Sequence, residues 1–243
     1  MSIPMARGLV CIGPYEVLAD GGAIPWGTAY PALDSRSDRE VVLAVIPPSR
    51  QETDDGEVPW EVLLAETAAL ERFYHPGIPA LYEIAEDEGD LLIAFAPASG
   101  RTLAEALAVG IRPDRDRLVD WGCQLLDVLA EAHAHGLLHR HLGEGEVIVG
   151  PDGHLTVTGF GLTRMSFEPP ARLAPELRAG AAATRRSDLY AVGALLRRIA
   201  RGESGPRLAP DDPLLRILNR ATAFDPAARF KSAAQMAEEL AAL

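Results

Sequence analysis

The chain has 243 residues, 48% of them hydrophobic, enough to bury a sizeable core as one two-lobed unit or as two small domains. Its formal net charge is −12, with 22 Arg and a single Lys, Lys231, an acidic balance that excludes non-specific binding to nucleic acid or to an anionic membrane surface. No apolar run reaches the roughly 18 residues of a membrane span, no basic-then-apolar signal pattern opens the chain, and Cys11 and Cys123 show no metal or redox spacing, so a reduced cytoplasmic protein is expected.

Residues 9 to 46 read as a β meander, Leu9 to Leu18, Thr28 to Leu33 and Glu40 to Ile46, separated by turns rich in Gly, Asp and Ser. Between the first two runs lies ADGGAIPWGTAY, Ala19 to Tyr30, with Gly21, Gly22 and Gly27. An acidic loop from Gln51 to Glu57 leads through Pro59 into a helix expected from Trp60 to Tyr74, with Leu63, Leu70 and Phe73 on one face. Strands are expected at Pro79 to Ala85 and Leu91 to Ala96, joined by the acidic turn Glu86 to Asp90.

From there the pattern turns helical. Thr102 and Glu105 have capping-box spacing and open a short helix ending at Gly110. A longer one is predicted from Arg115 to His135, with Leu118, Trp121, Leu125 and Leu129 at helical spacing and Gly136 as its stop. The stretch HRHLGEGEVIVGPDGHLTVTGFG, His139 to Gly161, then reads as strand, turn, strand around Pro151-Asp152-Gly153. Ser232 and Gln235 cap a final helix to Leu243.

That central stretch resembles the catalytic segment of protein kinases, in which H-R-D-L-x-x-x-N precedes a hairpin and D-F-G. His139, Arg140 and Leu142 match, as do Phe160 and Gly161. Further landmarks stand in family order: Ala174-Pro175-Glu176 for A-P-E, Ser187 to Gly193 for the start of the central large-lobe helix, and Asp225 to Arg229 for D-P-x-x-R. The resemblance covers essentially the whole chain. It implies an α+β, two-lobe fold of the bacterial Hanks-type Ser/Thr kinase family as a single domain over residues 1–243. The β-rich N-lobe is expected at about 9–96, the hinge at about 96–99 and the helical C-lobe at about 100–243.

The resemblance also assigns positions where this chain departs from the pattern. Ala44 stands for the phosphate-pairing Lys, His141 for the catalytic Asp, Glu146 for the Asn and Gly159 for the metal-binding Asp. Lys231 sits in the last helix, so no shift of register supplies the missing lysine, and Arg36 or Arg50 is a larger planar donor rather than a replacement. Val42 narrows the adenine side of the pocket, and the glycine loop loses its spacing and gains Pro25 and Trp26. Glu66 is retained at the position of the small-lobe helix acid, Phe95 falls at the gatekeeper and Ala96 to Ser99 at the hinge.

These departures lead to the expectation of a degenerate member, a pseudokinase. It would be no enzyme and have no cofactor, ATP and Mg would not be bound, and it would act as a scaffold or regulator through another protein. Alternatives are an unconventional nucleotide-dependent transferase with His141 or Glu146 in new roles, and a structural subunit of a larger complex. The crowd of His133, His135, His139 and His141 is read as packing rather than a metal site, because no cysteine or carboxylate stands at ligand spacing. Structural roles fall to Leu70, Leu81, His139 and Phe160 as a stack between the lobes, to Asp188 under the His139-Arg140 backbone, and to a Glu176–Arg229 ion pair. The twelve residues Leu162 to Leu173 and the stretch ARGESGPRLAPDD leave little room for substrate-docking elements.

Overall fold

The strand REVVLAVI is apolar without a break from Val41 to Ile46, and because successive side chains point to opposite faces it presents an apolar surface on both sides of its sheet. In the computed structural model, which describes residues 10–24, 27–47, 52–53, 56–57, 69–70, 74–160, 173–201 and 208–243, this strand lies inside an antiparallel sheet. The strands are β1 (Cys11–Ile12), β2 (Tyr15–Val17), β3 (Gly22–Ile24), β4 (Gly27–Asp34), β5 (Arg39–Ile46), β8 (Leu81–Asp87) and β9 (Asp90–Phe95). Their order is β1-β2-β4-β5-β9-β8, with β3 paired to the other end of β4. Between β5 and β8, β6 (Glu52–Thr53) and β7 (Gly56–Glu57) form a separate two-stranded hairpin where a loop was expected.

Val41 and Leu43 pack with Tyr15, Ala32, Leu92 and Ala94 on one face; Ala44 and Ile46 pack with Leu91 and Ile93 on the other. The first face is closed by an ionic network: Tyr15 Oη donates to Glu83 Oε2 at 2.5 Å, and Arg36 bridges Glu83 and Asp34. That engagement keeps Arg36 on the face opposite Ala44, so it does not stand in for a lysine there.

Several boundaries differ from expectation. The first run splits at Gly13-Pro14 because Gly13 turns with φ 53°, giving β1 and β2 as a tight pair. The strands β8 and β9 extend to Asp87 and Asp90, leaving Glu88 and Gly89 at φ 51° and 91° as a two-residue turn whose positive φ values match the strand twist. Most of the predicted helix at Trp60 to Tyr74 lies outside the described residues; Ala69 and Leu70 are helical and Tyr74 is not.

The second half begins with β10 (Arg101–Thr102) and α1 (Leu103–Ala108). Its cap is the reciprocal one the spacing predicts: Glu105 N–H donates to Thr102 Oγ1 and Thr102 N–H to Glu105 Oε2. The central helix α2 (Arg115–Ala134), capped by Asp114, buries Leu118, Trp121, Leu125, Leu129 and Ala132 along one stripe. The strands β11 (Val147–Val149) and β12 (Leu155–Val157) join β10 in a three-stranded antiparallel sheet of order β10-β11-β12 against it. Then follow α3 (Pro175–Arg178), α4 (Arg185–Arg201), α5 (Pro213–Ala221) and α6 (Ala233–Ala241). Helices α4 and α6 pack on α2, and α5 packs on α4.

Helix α5 begins directly after the stretch read as leaving little room for a docking element, of which residues 202–207 lie outside the described residues. Asp212 Oδ1 accepts from Leu214 N–H and Pro213 begins the first turn, a start signal present in the sequence and passed over. The last helix is capped at Ser232, whose Oγ accepts from Gln235 N–H at 3.1 Å, while Gln235 Oε1 accepts from Lys231 N–H at 2.9 Å. Among the described residues no helix is long and apolar enough to cross a membrane.

Candidate functional site in the interlobe cleft

The site is built outward from a buried carboxylate. Asp188, fully buried in the first turn of α4, accepts Arg140 N–H on Oδ1 at 2.7 Å and His139 N–H on Oδ2 at 2.9 Å. His133 Nε2 meets the same Oδ2 at 2.8 Å. One acid thereby ties together α2, α4 and the loop ahead of β11. Arg140 sits at φ 68°, a left-handed conformation that costs roughly 1–2 kcal/mol for a side chain with Cβ, and the Asp188 contact is what holds it.

His139 is fully buried. Its Nδ1 accepts His141 N–H at 3.4 Å, so its proton lies on Nε2 and is donated to the Thr158 carbonyl at 2.9 Å. Its ring meets Phe160 edge-on, centroids 4.7 Å apart. Burial lowers the pKa of His139, keeping it neutral. Phe160 and Leu70 belong to one buried cluster, and Leu81 packs on it and on the inner face of the sheet. The four residues of the expected interlobe stack are thus brought to one region.

Between the lobes lies a cavity of about 190 Å3. Val42 and Ala44 of β5 form its roof with Phe95 and Ala96 at the end of β9; Ile148 and Val157 of the hairpin form its floor; Leu70 and Phe160 close its inner end. Its walls are almost wholly apolar. Of the residues that the resemblance sets against the family's charged groups, Ala44 is a buried methyl paired in register with Ile93 and Ala29, and Gly159 contributes backbone alone at φ 89°.

The titratable groups here are His141 and Glu146. Burial, reinforced by the neighbouring His139, lowers the His141 pKa to about 4, so its imidazole is neutral at physiological pH. Glu146 is 7% exposed and burial raises its pKa, against the lowering effect of its own and Gly143's backbone N–H groups. Two residues earlier, Glu144 meets Arg198 of α4 at 2.9 Å. Among the described residues that the resemblance sets at phosphate- or metal-binding positions, Glu146 is the carboxylate. Among the described residues no group of three or more His, Cys, Asp or Glu stands together as a metal site.

At the base of the large lobe Arg229 and Glu176 form a two-pronged pair, Nη1 to Oε1 at 2.7 Å and Nη2 to Oε2 at 2.8 Å. Glu66, Gly161, Arg50, Pro25 and Trp26 lie outside the described residues. Sequence reasoning missed the Tyr15–Glu83–Arg36 network and the Glu144–Arg198 pair. No spacing signal announces either, because their partners come from distant parts of the chain.

The protein kinase domain family matches residues 20–207. The chain belongs to that family. It is 29% identical over 224 residues to the DNA damage-responsive serine/threonine-protein kinase RqkA of Deinococcus radiodurans, covering 82% of this chain and 31% of the relative. It is 24% identical over 262 residues to the serine/threonine-protein kinase PrkC of Bacillus subtilis, covering 94% and 40%. With PknA of Mycobacterium tuberculosis it shares 25% over 275 residues, covering 97% and 62%. The chain spans about a third of the length of the first relatives it matches.

These relatives overturn two expectations drawn from Ala44, His141, Glu146 and Gly159, namely that the chain is not an enzyme and that ATP and Mg are not bound. The chain falls in a family whose relatives here are named kinases, and four substituted positions do not carry the exclusion. Phosphoryl transfer is mostly positioning and charge stabilisation spread over many groups, of which a residue-by-residue reading weighs only some.

Proposed function

We propose that this kinase-family chain works by binding another protein, as a regulator or scaffold in a bacterial-type signalling or assembly pathway. The supporting observation is that its large lobe is held in shape by contacts that need no ligand, Asp188 under the His139-Arg140 backbone and Arg229 on Glu176. A surface so fixed loses little entropy on docking. In this reading residues 1–243 act as one kinase-like domain, the lobes joined at about 96–99, in a reducing cytoplasm that keeps Cys11 and Cys123 as free thiols. The test is in-cell cross-linking of the tagged chain, followed by calorimetry of the purified pair. One partner should cross-link at reproducible positions and bind with 1:1 stoichiometry; if no cross-linked protein binds the purified chain, the reading fails.

A second reading, a nucleotide-dependent transferase of unconventional chemistry, is favoured by one observation: His141, which the resemblance assigns to the family's base position, carries a neutral imidazole. Labelled ATP with Mg, given to the chain and to His141→Ala, separates the two. Transfer that falls about 100-fold in the variant supports the second reading; transfer equal in both removes His141 from it.

A further inference from the structure

Beside the cleft lies a second concavity, an open groove of about 500 Å3. The two share Ile78, Pro79, Ala96 and Ala98, so the strand-to-hinge segment is the wall between them. The groove's far rim is the β11–β12 turn with Pro151 and Asp152.

Three features define what fits there. Tyr74, 82% exposed, and Tyr82, 39% exposed, line it, and Arg39 already holds its guanidinium 4.4 Å from the centroid of the Tyr82 ring. Such rings take cations. Next, four of the lining residues are prolines, Pro76, Pro79, Pro97 and Pro151, which offer carbonyls and no N–H. A partner strand cannot add there by the usual exchange of backbone hydrogen bonds, so an occupant must bring its own donors. Third, apart from Arg39, which is already taken up on Tyr82, the charge at the groove is acidic. No Lys or Arg lines the groove; Asp152 is exposed on its rim, and Asp127 stands 3.2 Å from the lining His75. His75 Nδ1 accepts Gly77 N–H at 3.0 Å, which commits the Nε2 proton to Asp127.

We propose that this groove docks an extended, arginine- or lysine-bearing segment of a partner protein, its cation stacked on Tyr74 and paired with Asp152. The proposal rests on the protein-binding reading above and names the face and the chemistry of the partner. Donor-rich cations complement a donor-poor, acidic and aromatic wall, and the net charge of −12 draws the same ligand from a distance.

The probe is a fluorescein-labelled peptide of alternating arginine and proline, with its glutamate-for-arginine counterpart, read by anisotropy on the full chain. The arginine peptide should bind and the glutamate peptide should not. Tyr74→Ala and Asp152→Asn should each weaken binding about tenfold, 1.4 kcal/mol by the affinity relation, with a smaller Asp152 effect in high salt. Both side chains are exposed, and asparagine keeps an oxygen for the His154 N–H that Asp152 accepts at 2.9 Å, so both variants should fold. Phe224→Ala, at a ring 81% exposed that does not line the groove, should leave binding unchanged. Absent binding, equal binding of the two peptides, or binding indifferent to Tyr74 and Asp152 overturns the proposal. So does a dimer, seen by sedimentation, that Tyr74→Ala dissolves, since the groove would then belong to a second copy. A cross-linked partner retained by both variants overturns the groove while leaving the protein-binding reading standing.

Discussion

Arg229 reaches back 53 positions to Glu176 and meets both of its carboxylate oxygens. The guanidinium side chain has no exposure, and its remaining donors are spent on the carbonyls of Ala223, Arg186 and Phe224 at 2.8, 3.1 and 3.2 Å. Glu176 also accepts the Ser187 hydroxyl at 3.0 Å. Every charge is therefore answered, which is what makes removal of one partner costly.

Arg229→Ala should destabilise the chain by about 3–5 kcal/mol, read as a lower urea midpoint. Burial raises the Glu176 pKa, but the Arg229 hydrogen bond and its neighbours outweigh it and leave the pKa lowered. The pair's contribution is therefore complete above the ordinary carboxylate range and lost as pH falls through the depressed value. An unchanged midpoint in the variant would remove the pair from the account of stability.

Asp188→Ala should cost a comparable amount, about 3–5 kcal/mol, because it strands the buried N–H of His139 and takes away the acceptor that holds Arg140 at positive φ. Asp188→Asn keeps one acceptor oxygen and should fall between. If alanine and asparagine variants unfold at the same denaturant concentration, the number of accepted bonds is not what matters.

Acid should weaken the fold through His141. The His141 pKa is lowered to about 4, so in the window from about pH 6.5 down to 4 the unfolded chain binds a proton that the folded chain refuses. Stability then falls with pH across that window, by roughly 3 kcal/mol for this residue. Buried His139 contributes in the same direction. His141→Gln should flatten part of the slope between pH 7 and 4.5; a parallel slope would show that His141 is protonated as easily folded as unfolded.

Gly27→Ala tests the close approach of β4 to β5, since a Cβ there would stand 2.1 Å from the Val45 carbonyl. The strands must part, at a cost of about 1–3 kcal/mol. Thermal melting should show it, with Gly22→Ala, where a Cβ meets nothing within 4 Å, as the silent comparison.

The capping box of α1, the Ser232 cap of α6, the period of α2 and the central hairpin were all legible, because each rests on residues within a few positions of one another. What failed to read were ends and exclusions. Strand β8 ran on to Asp87 because Glu88 and Gly89 could take positive φ, which composition does not reveal. Helix α5 was overlooked because length was counted where Asp212-Pro213 should have been weighed.

By itself the sequence determined the kinase fold, since that follows from residue identity at ordered spacings, and it led to the expectation that Ala44, His141, Glu146 and Gly159 stand at the family's catalytic positions. Only the tertiary structure decided what surrounds them. It buried His141 deeply enough to keep it neutral, set Arg36 on the far face of the sheet against Glu83, and placed Tyr74, Asp152 and four prolines around one groove. Burial, and the meeting of side chains 47 or more positions apart such as Arg36 and Glu83, depend on how the sheet and helices close on each other. Local pattern carries no record of that closure.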